Sequence, residues 1–363
     1  ENRFDKANKD LTDTNLFVNR VMVSMMPIMT LIMNLVTVLI VWVGANQVSG
    51  FKMDVGEMMA YMQYVMQIIF AFLMLSMMFI MIPRASVSGD RIADVLEAKT
   101  SIKNNNIASK IDNCTGLVEF KNVCFRYPGG DEDVLNNISF TARPGETTAF
   151  IGSTGSGKSS IINLIPRFYD VTNGSIKIDG VDVRDYDLKY LRKKIGFIPQ
   201  KTLLFTGSIA NNIKFGKKDA EYKEVEDSAK IAQAYEFISN KPNKFDEIIT
   251  EGGSNVSGGQ KQRLSIARAI VRKPDIYIFD DSFSALDFKT DAILRKELRS
   301  ETKDAIVLIV AQRIGSIMDA DKIIVLNEGE VVGIGTHKEL IKNCPIYHEI
   351  ATSQLTEEEL ANE

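Results

Sequence analysis

Cysteine is scarce in this 363-residue sequence, and the three that occur suit neither of its structural uses. Cys114, Cys124 and Cys344 are odd in number and scattered, without the close pairing of a metal site, which excludes a disulfide framework and a zinc site alike. They read as reduced thiols facing the cytosol. Basic runs are missing too. No Lys/Arg cluster stands out and the formal net charge is −4, so no nucleic-acid partner is expected. There is no internal repeat, and the residues from Glu1 onward lack the pattern of a signal peptide.

Charge is absent from two long stretches. Residues 21–44, VMVSMMPIMTLIMNLVTVLIVWVG, and residues 58–82 carry no charged residue and are each long enough to cross a bilayer core as a helix. The only tryptophan, Trp42, and every methionine but Met318 fall between Met22 and Met81. Pro27 and Asn34 interrupt the first run, which a membrane helix tolerates where its freed polar groups are satisfied. Arg3, Lys6, Lys9 and Arg20 precede the first run and Arg84 and Arg91 follow the second, so both ends are expected in the cytoplasm and the Gly-containing loop around Lys52 outside. Gln63 and Gln67 lie one helical turn apart and could line a polar pathway or bond a neighbouring helix. The methionines fit either an adaptable surface for apolar cargo or plain packing against lipid.

The expected organisation is a partial transmembrane domain at 1–83, a linker at 84–116, a nucleotide-binding domain at 117–352 and a solvated acidic tail at 353–363. In the third segment, short apolar runs such as TTAFIG, KIGFIP, IYIFD and IVLIVA alternate with helical patterns, the mark of a layered α/β domain.

GSTGSGKS, Gly152–Ser159, fits G-x-x-x-x-G-K-[ST] without a mismatch and sits between a strand pattern and a helix pattern. Gly152, Gly155 and Gly157 let the backbone N–H groups of Ser153, Thr154 and Ser156 turn around a phosphate chain. Lys158 supplies positive charge near the terminal phosphates, and the Ser159 hydroxyl, with Ser160 beside it, can face Mg²⁺. Asp280 closes the strand IYIF as the partner acid of such a loop. A second bare-backbone helix start occurs at Ser257, Gly258 and Gly259, shortly before that strand. Two phosphate-binding helix ends in one domain make sense if one serves a nucleotide held by another copy.

These motifs together resemble the C-terminal part of an ATP-binding cassette exporter half-transporter. The phosphate loop matches 152–159, and the signature motif matches Val256, Ser257, Gly258, Gly259 and Gln260. The resemblance further implies that Gln200 in GFIPQ contacts magnesium, that Tyr127 in FRYPGG stacks on adenine, and that the loop ending in Asp287 follows the acidic strand. ATP and Mg²⁺ are the implied cofactors, with Ser159, Gln200 and Asp280 at the metal. The implied fold is a membrane α-helical segment of two spans plus an α/β P-loop NTPase. Exporters of this family carry more spans than that, so the chain is expected to be part of a longer protein.

Two positions depart from the family pattern. Most members carry glutamate after the strand-end aspartate as the general base, and histidine just after the next strand; here they are Asp281 and Gln312. Shortening the base withdraws its carboxylate by roughly an ångström, and losing a well-placed base typically forfeits about 10²–10⁴ in rate. The pairing resembles heterodimeric exporters in which one half carries a degenerate catalytic set. The implied protein is thus an ATP-driven exporter subunit in the cell membrane, multi-pass, with its nucleotide-binding domain cytoplasmic. Its partners would be membrane lipid, a second half-transporter, and an exported substrate, drug or lipid. The alternative is a membrane-anchored ATPase or gated regulator that does not transport.

Overall fold

In the computed structural model of this chain, residues 2–104 and 116–355 are described. Cys114 and most of the acidic end lie outside them. The chain divides into two units, Glu1–Lys99 and Thr100–Glu363.

The first unit is two helices, α1 (Asn2–Ser49) and α2 (Val55–Glu97). Both are long and apolar enough to cross a membrane, and almost none of their apolar windows is buried within the protein. At 1.5 Å per residue the 48-residue α1 is about 72 Å long, so it extends well past a hydrocarbon core of about 30 Å. Hydroxyls along the helices bond back to the preceding turn, as Thr37 Oγ1 does to the Met33 carbonyl at 2.8 Å, which removes the cost of an unpaired donor in lipid. Gly44 lies inside α1, where Met58 of α2 occupies the space a Cβ would take. The α2 start is set by Glu57, whose Oε2 accepts the Asp54 backbone N–H at 3.0 Å.

The expected linker at 84–116 is corrected over its first part. Pro83 sits inside α2, which runs on through Arg84, Asp90 and Arg91 to Glu97. A proline removes one hydrogen bond but does not stop a helix whose flanking residues continue it. The apolar-to-polar change therefore marks a change of solvent, not the end of the helix.

The second unit is built around a six-stranded sheet in the order β12-β11-β3-β10-β9-β6. Its strands are β3 (Thr147–Gly152), β6 (Ile195–Ile198), β9 (Ile276–Asp280), β10 (Ile306–Val310), β11 (Lys322–Asn327) and β12 (Glu330–Gly335). All pairings are parallel except the β11–β12 hairpin at one edge. A smaller antiparallel sheet combines β1 (Val118–Phe125), β2 (Leu135–Ala142), β4 (Asn173–Ile178) and β5 (Val181–Asp182), and β7 (Gly207–Ser208) pairs with β8 (Ile248–Ile249).

Strand alternation divides the interior into two cores. Phe150, Ile276, Ile278, Leu308 and Ile324 face the small sheet and α3 (Lys158–Leu164). Ile151, Tyr277, Phe279, Ile309 and Val325 face the other way, toward α8 (Gly258–Ile270) and α9 (Phe288–Glu301). Between these lie α4 (Leu188–Lys193), α5 (Ile209–Lys214), α6 (Tyr222–Ile231) and α7 (Tyr235–Ser239), with α10 (His337–Asn343) and α11 (Pro345–Gln354) at the end. Burial on both faces explains why β10 reads IVLIV without polar alternation. The proposed tail boundary at 353 also moves: Ser353 and Gln354 belong to α11.

The central strands should be intolerant of cavities. Ile278→Ala is expected to cost about 2–5 kcal/mol, read as a lowered unfolding temperature of the full chain, since Ile278 is wholly buried; an unchanged temperature would contradict the two-core packing.

Candidate functional site

The five parallel strands all end at one cleft of about 790 Å³. β3 delivers the glycine-rich loop, β6 leads to Gln200, β9 ends at Asp280, β10 leads to Gln312 and β11 ends at Asn327. This is the carboxyl edge of an open α/β sheet, where strand ends and helix starts converge.

The loop is shaped by close approach. A Cβ on Gly152 would run into the Leu326 carbonyl, and one on Gly157, whose φ is +94°, would come within 2.5 Å of Leu135 Cδ2. Gly157 caps α3 without a side-chain acceptor, leaving the first-turn N–H groups facing the loop for an anion. Lys158 Nζ donates to the carbonyls of Gly152 at 2.9 Å and Ser153 at 2.6 Å. It lies 3.4 Å from Ser156 Oγ. Burial pushes the Lys158 ammonium below its usual range, opposed by the charges of Asp281 and Asp280. A phosphate in the loop would repay that desolvation.

Ser159 Oγ donates to Asp280 Oδ1 at 3.1 Å, tying α3 to the end of β9. Burial raises Asp280, against the Ser159 hydrogen bond, and the neighbouring Asp281 raises it further. Among the described residues no group of three or more His, Cys, Asp or Glu side chains could hold a metal alone. The oxygens gathered here, one hydroxyl, one carboxylate and an amide, suit a hard cation that takes its remaining ligands from phosphate and water.

Asp281 is the most constrained residue of the cleft. Its φ is +47°, a conformation few residues other than Gly, Asn and Asp adopt readily. Its N–H donates to the Val310 carbonyl at 2.9 Å and its carbonyl accepts from Ser284 Oγ at 2.9 Å. Both Gln312 Nε2, at 2.8 Å, and Gln200 Nε2, at 3.1 Å, donate to the same carboxylate oxygen, Oδ2. Burial pushes Asp281 up, while hydrogen bonds from Gln200 and Ser284 and the charges of Arg313 and Lys158 pull it down.

Of the residues singled out from sequence, Gly152, Ser153, Thr154, Gly155, Lys158, Ser159, Gln200, Asp280, Asp281 and Gln312 line this cleft. Ser156 is buried beneath the loop. Tyr127 is not among the lining residues: its hydroxyl lies 2.9 Å from Ser160 Oγ, and its ring packs edge-on against Phe125 and Tyr169. Val256–Gln260 also lie apart from the cleft. Ser257 caps α8, its Oγ accepting the Gln260 N–H at 3.3 Å and its own N–H donating to Gln260 Oε1 at 3.1 Å. Asp287 caps α9 through the Thr290 N–H at 2.9 Å.

Sequence reasoning missed two contributions. Thr202 Oγ1 donates to Gln262 Oε1 at 2.6 Å, linking the Gln200 loop to the helix that Ser257 begins. One wall of the cleft comes from α11, through Ile346, Glu349, Ile350, Ser353 and Gln354. No motif marks these residues, because only the tertiary fold brings them to the strand ends.

Residues 135–284 match the family described as ABC transporter, and residues 1–72 match the ABC transporter transmembrane region. An uncharacterized ABC transporter ATP-binding protein of Mycobacterium bovis is 42% identical over 356 residues, 97% of this chain and 61% of that protein. A Bacillus subtilis protein with the provisional name of multidrug export ATP-binding/permease protein is 40% identical over 267 residues, 74% of this chain and 46% of that one. Among solved structures, a bacterial Atm1-family ABC exporter with ATP bound superposes with a TM-score of 0.76 at 32% identity, covering 91% of this chain and 58% of that one. The chain therefore spans about three-fifths of the length of such relatives.

Because the loop has no room for a side chain at Gly157, Gly157→Val is expected to weaken binding of a fluorescent ATP analogue by at least tenfold, about 1.4 kcal/mol. Unaltered affinity would remove this loop from the nucleotide site.

Proposed function

This chain belongs to the ABC transporter family, and on that premise we propose that it is the ATP-binding subunit of an exporter whose own catalytic site is slow. ATP binding and hydrolysis drive export of an apolar or amphipathic substrate, such as a drug or lipid, across the cell membrane, with the nucleotide-binding unit in the cytoplasm. Support comes from a phosphate loop joined in one chain to helices able to cross a bilayer, and from relatives named as ABC transporters and as an export ATP-binding/permease protein.

Mg²⁺ fits the oxygens of Ser159, Gln200 and Asp280. When bound it neutralises charge building on the terminal phosphate. The chain's own residues grip the phosphates through Lys158 and the loop N–H groups, and Asp280 orients the Ser159 hydroxyl. Tyr127 is assigned to the adenine, in keeping with the family.

The observation that carries the slow-site reading is the convergence of two amide donors on Asp281 Oδ2. A general base needs a free lone pair within about 2.6–3.2 Å of the attacking water, directly or through one further water. This carboxylate is short, its backbone is pinned on both sides, and one of its two oxygens is engaged twice. Gln312 holds a hydrogen bond but has no titratable group. The Val256–Gln260 motif, outside this cleft, is assigned to the ATP of a second, non-identical half-transporter, whose site turns over fast.

In proteoliposomes holding the full-length chain with that second half, Ser257→Arg is expected to stop substrate-stimulated ATP turnover and uptake. Asp281→Asn should lower both by no more than about threefold, far short of the loss expected for a working base. Equal losses for the two variants would overturn the asymmetry, and turnover without uptake would overturn export.

A further inference from the structure

The segment carrying Gln312 is held from outside by the C-terminal helix, and we propose that Gln354 is a positioning residue that sets Gln312 against Asp281. Gln354 Oε1 accepts the Ile314 N–H at 2.9 Å, and Gln354 Nε2 donates to the Gln312 carbonyl at 2.9 Å. One side-chain amide thus satisfies backbone groups on both sides of Arg313, as a neighbouring strand would. The Ile314 N–H opens the short turn Ile314–Ser316, which Arg313 does not cap with its own side chain; the cap comes from α11 instead. In the same segment the Gln312 side chain donates to Asp281 Oδ2. Three hydrogen-bonded groups therefore connect the last turn of α11 to the carboxylate.

The anchor is itself immobilised. Tyr347 is wholly buried, with its hydroxyl 2.6 Å from His337 Nδ1 of α10. Ala351, one turn further on, is also wholly buried. Tyr347, Ala351 and Gln354 follow the i, i+4, i+7 spacing of one helix face, so the packing that fixes the helix also aims the amide. The bond to the Gln312 carbonyl is exposed and the one from the Ile314 N–H only part-buried, so their worth to global stability is modest. Their geometric consequence falls on the Gln312 loop, one of the two whose side-chain amides reach the proposed base.

This inference rests on the reading of Asp281 and Gln312 as the water-facing end of the nucleotide site. Gln354→Met keeps length and removes both hydrogen bonds; Gln354→Glu keeps the acceptor for Ile314 and loses the donor. Single-turnover hydrolysis at limiting ATP by the full-length chain in membranes reads the site even where turnover is slow. Gln354→Met is expected to change the hydrolysis rate constant by about threefold to tenfold while the half-saturating ATP concentration stays within about twofold. Gln354→Glu should fall between it and the natural residue. In a Gln312→Ala background, Gln354→Met should change the rate by less than about 1.5-fold, because residues acting through one contact are not additive. An undiminished effect in that background, or equal changes in rate constant and half-saturation, would reduce Gln354 to general packing and overturn the proposal. Brisk hydrolysis by the chain alone would instead defeat the slow-site reading and leave this cycle interpretable.

Discussion

Two amide hydrogens meet one oxygen of Asp281, and through that meeting the ends of three parallel strands are tied together. Gln200 follows β6, Asp281 follows β9 and Gln312 follows β10, so the carboxylate acts as the knot between loops that the sheet alone would leave side by side. In the function proposed for this chain, the same knot slows the chemistry. A carboxylate engaged twice, on a left-handed backbone held by Val310 and Ser284, has little freedom to follow a water molecule. Phosphate affinity is separate from it, since the cradle is built by β3, α3 and Lys158 and needs nothing from Asp281 but charge.

Around that knot the domain links its parts by side-chain amides. Gln262 on α8 bonds Thr202 near Gln200, and Gln354 on α11 bonds the backbone around Arg313. Amides donate and accept at once, which lets one residue clamp a strand-like segment without adding charge to a site that already holds the carboxylates of Asp280 and Asp281 and the Lys158 ammonium.

Much of this was legible in sequence, for a physical reason. Central strands buried on both faces must be continuously apolar, so TTAFIG, IYIFD and IVLIV name β3, β9 and β10 almost to the residue. Glycine is required where a Cβ meets Leu326 or Leu135, so the phosphate loop is written into the chain. Edge and small-sheet strands such as β2 and β12, half exposed and mixed in composition, leave a weaker trace. The end of α2 was misjudged because hydropathy reports solvent, whereas helix continuity depends on local backbone bonds that persist past Pro83. Gln354 was invisible because its partners, Gln312 and Ile314, are brought to it only by the folding of α11 against the sheet end.

The most direct measurement restores the missing reach. Asp281→Glu combined with Gln312→His, in the full-length chain assembled without another half-transporter, should raise ATP turnover by roughly tenfold or more, within the range ascribed to a well-placed base. Turnover unchanged or lowered, with ATP affinity intact, would contradict the claim that a short and doubly engaged carboxylate is what keeps this site slow.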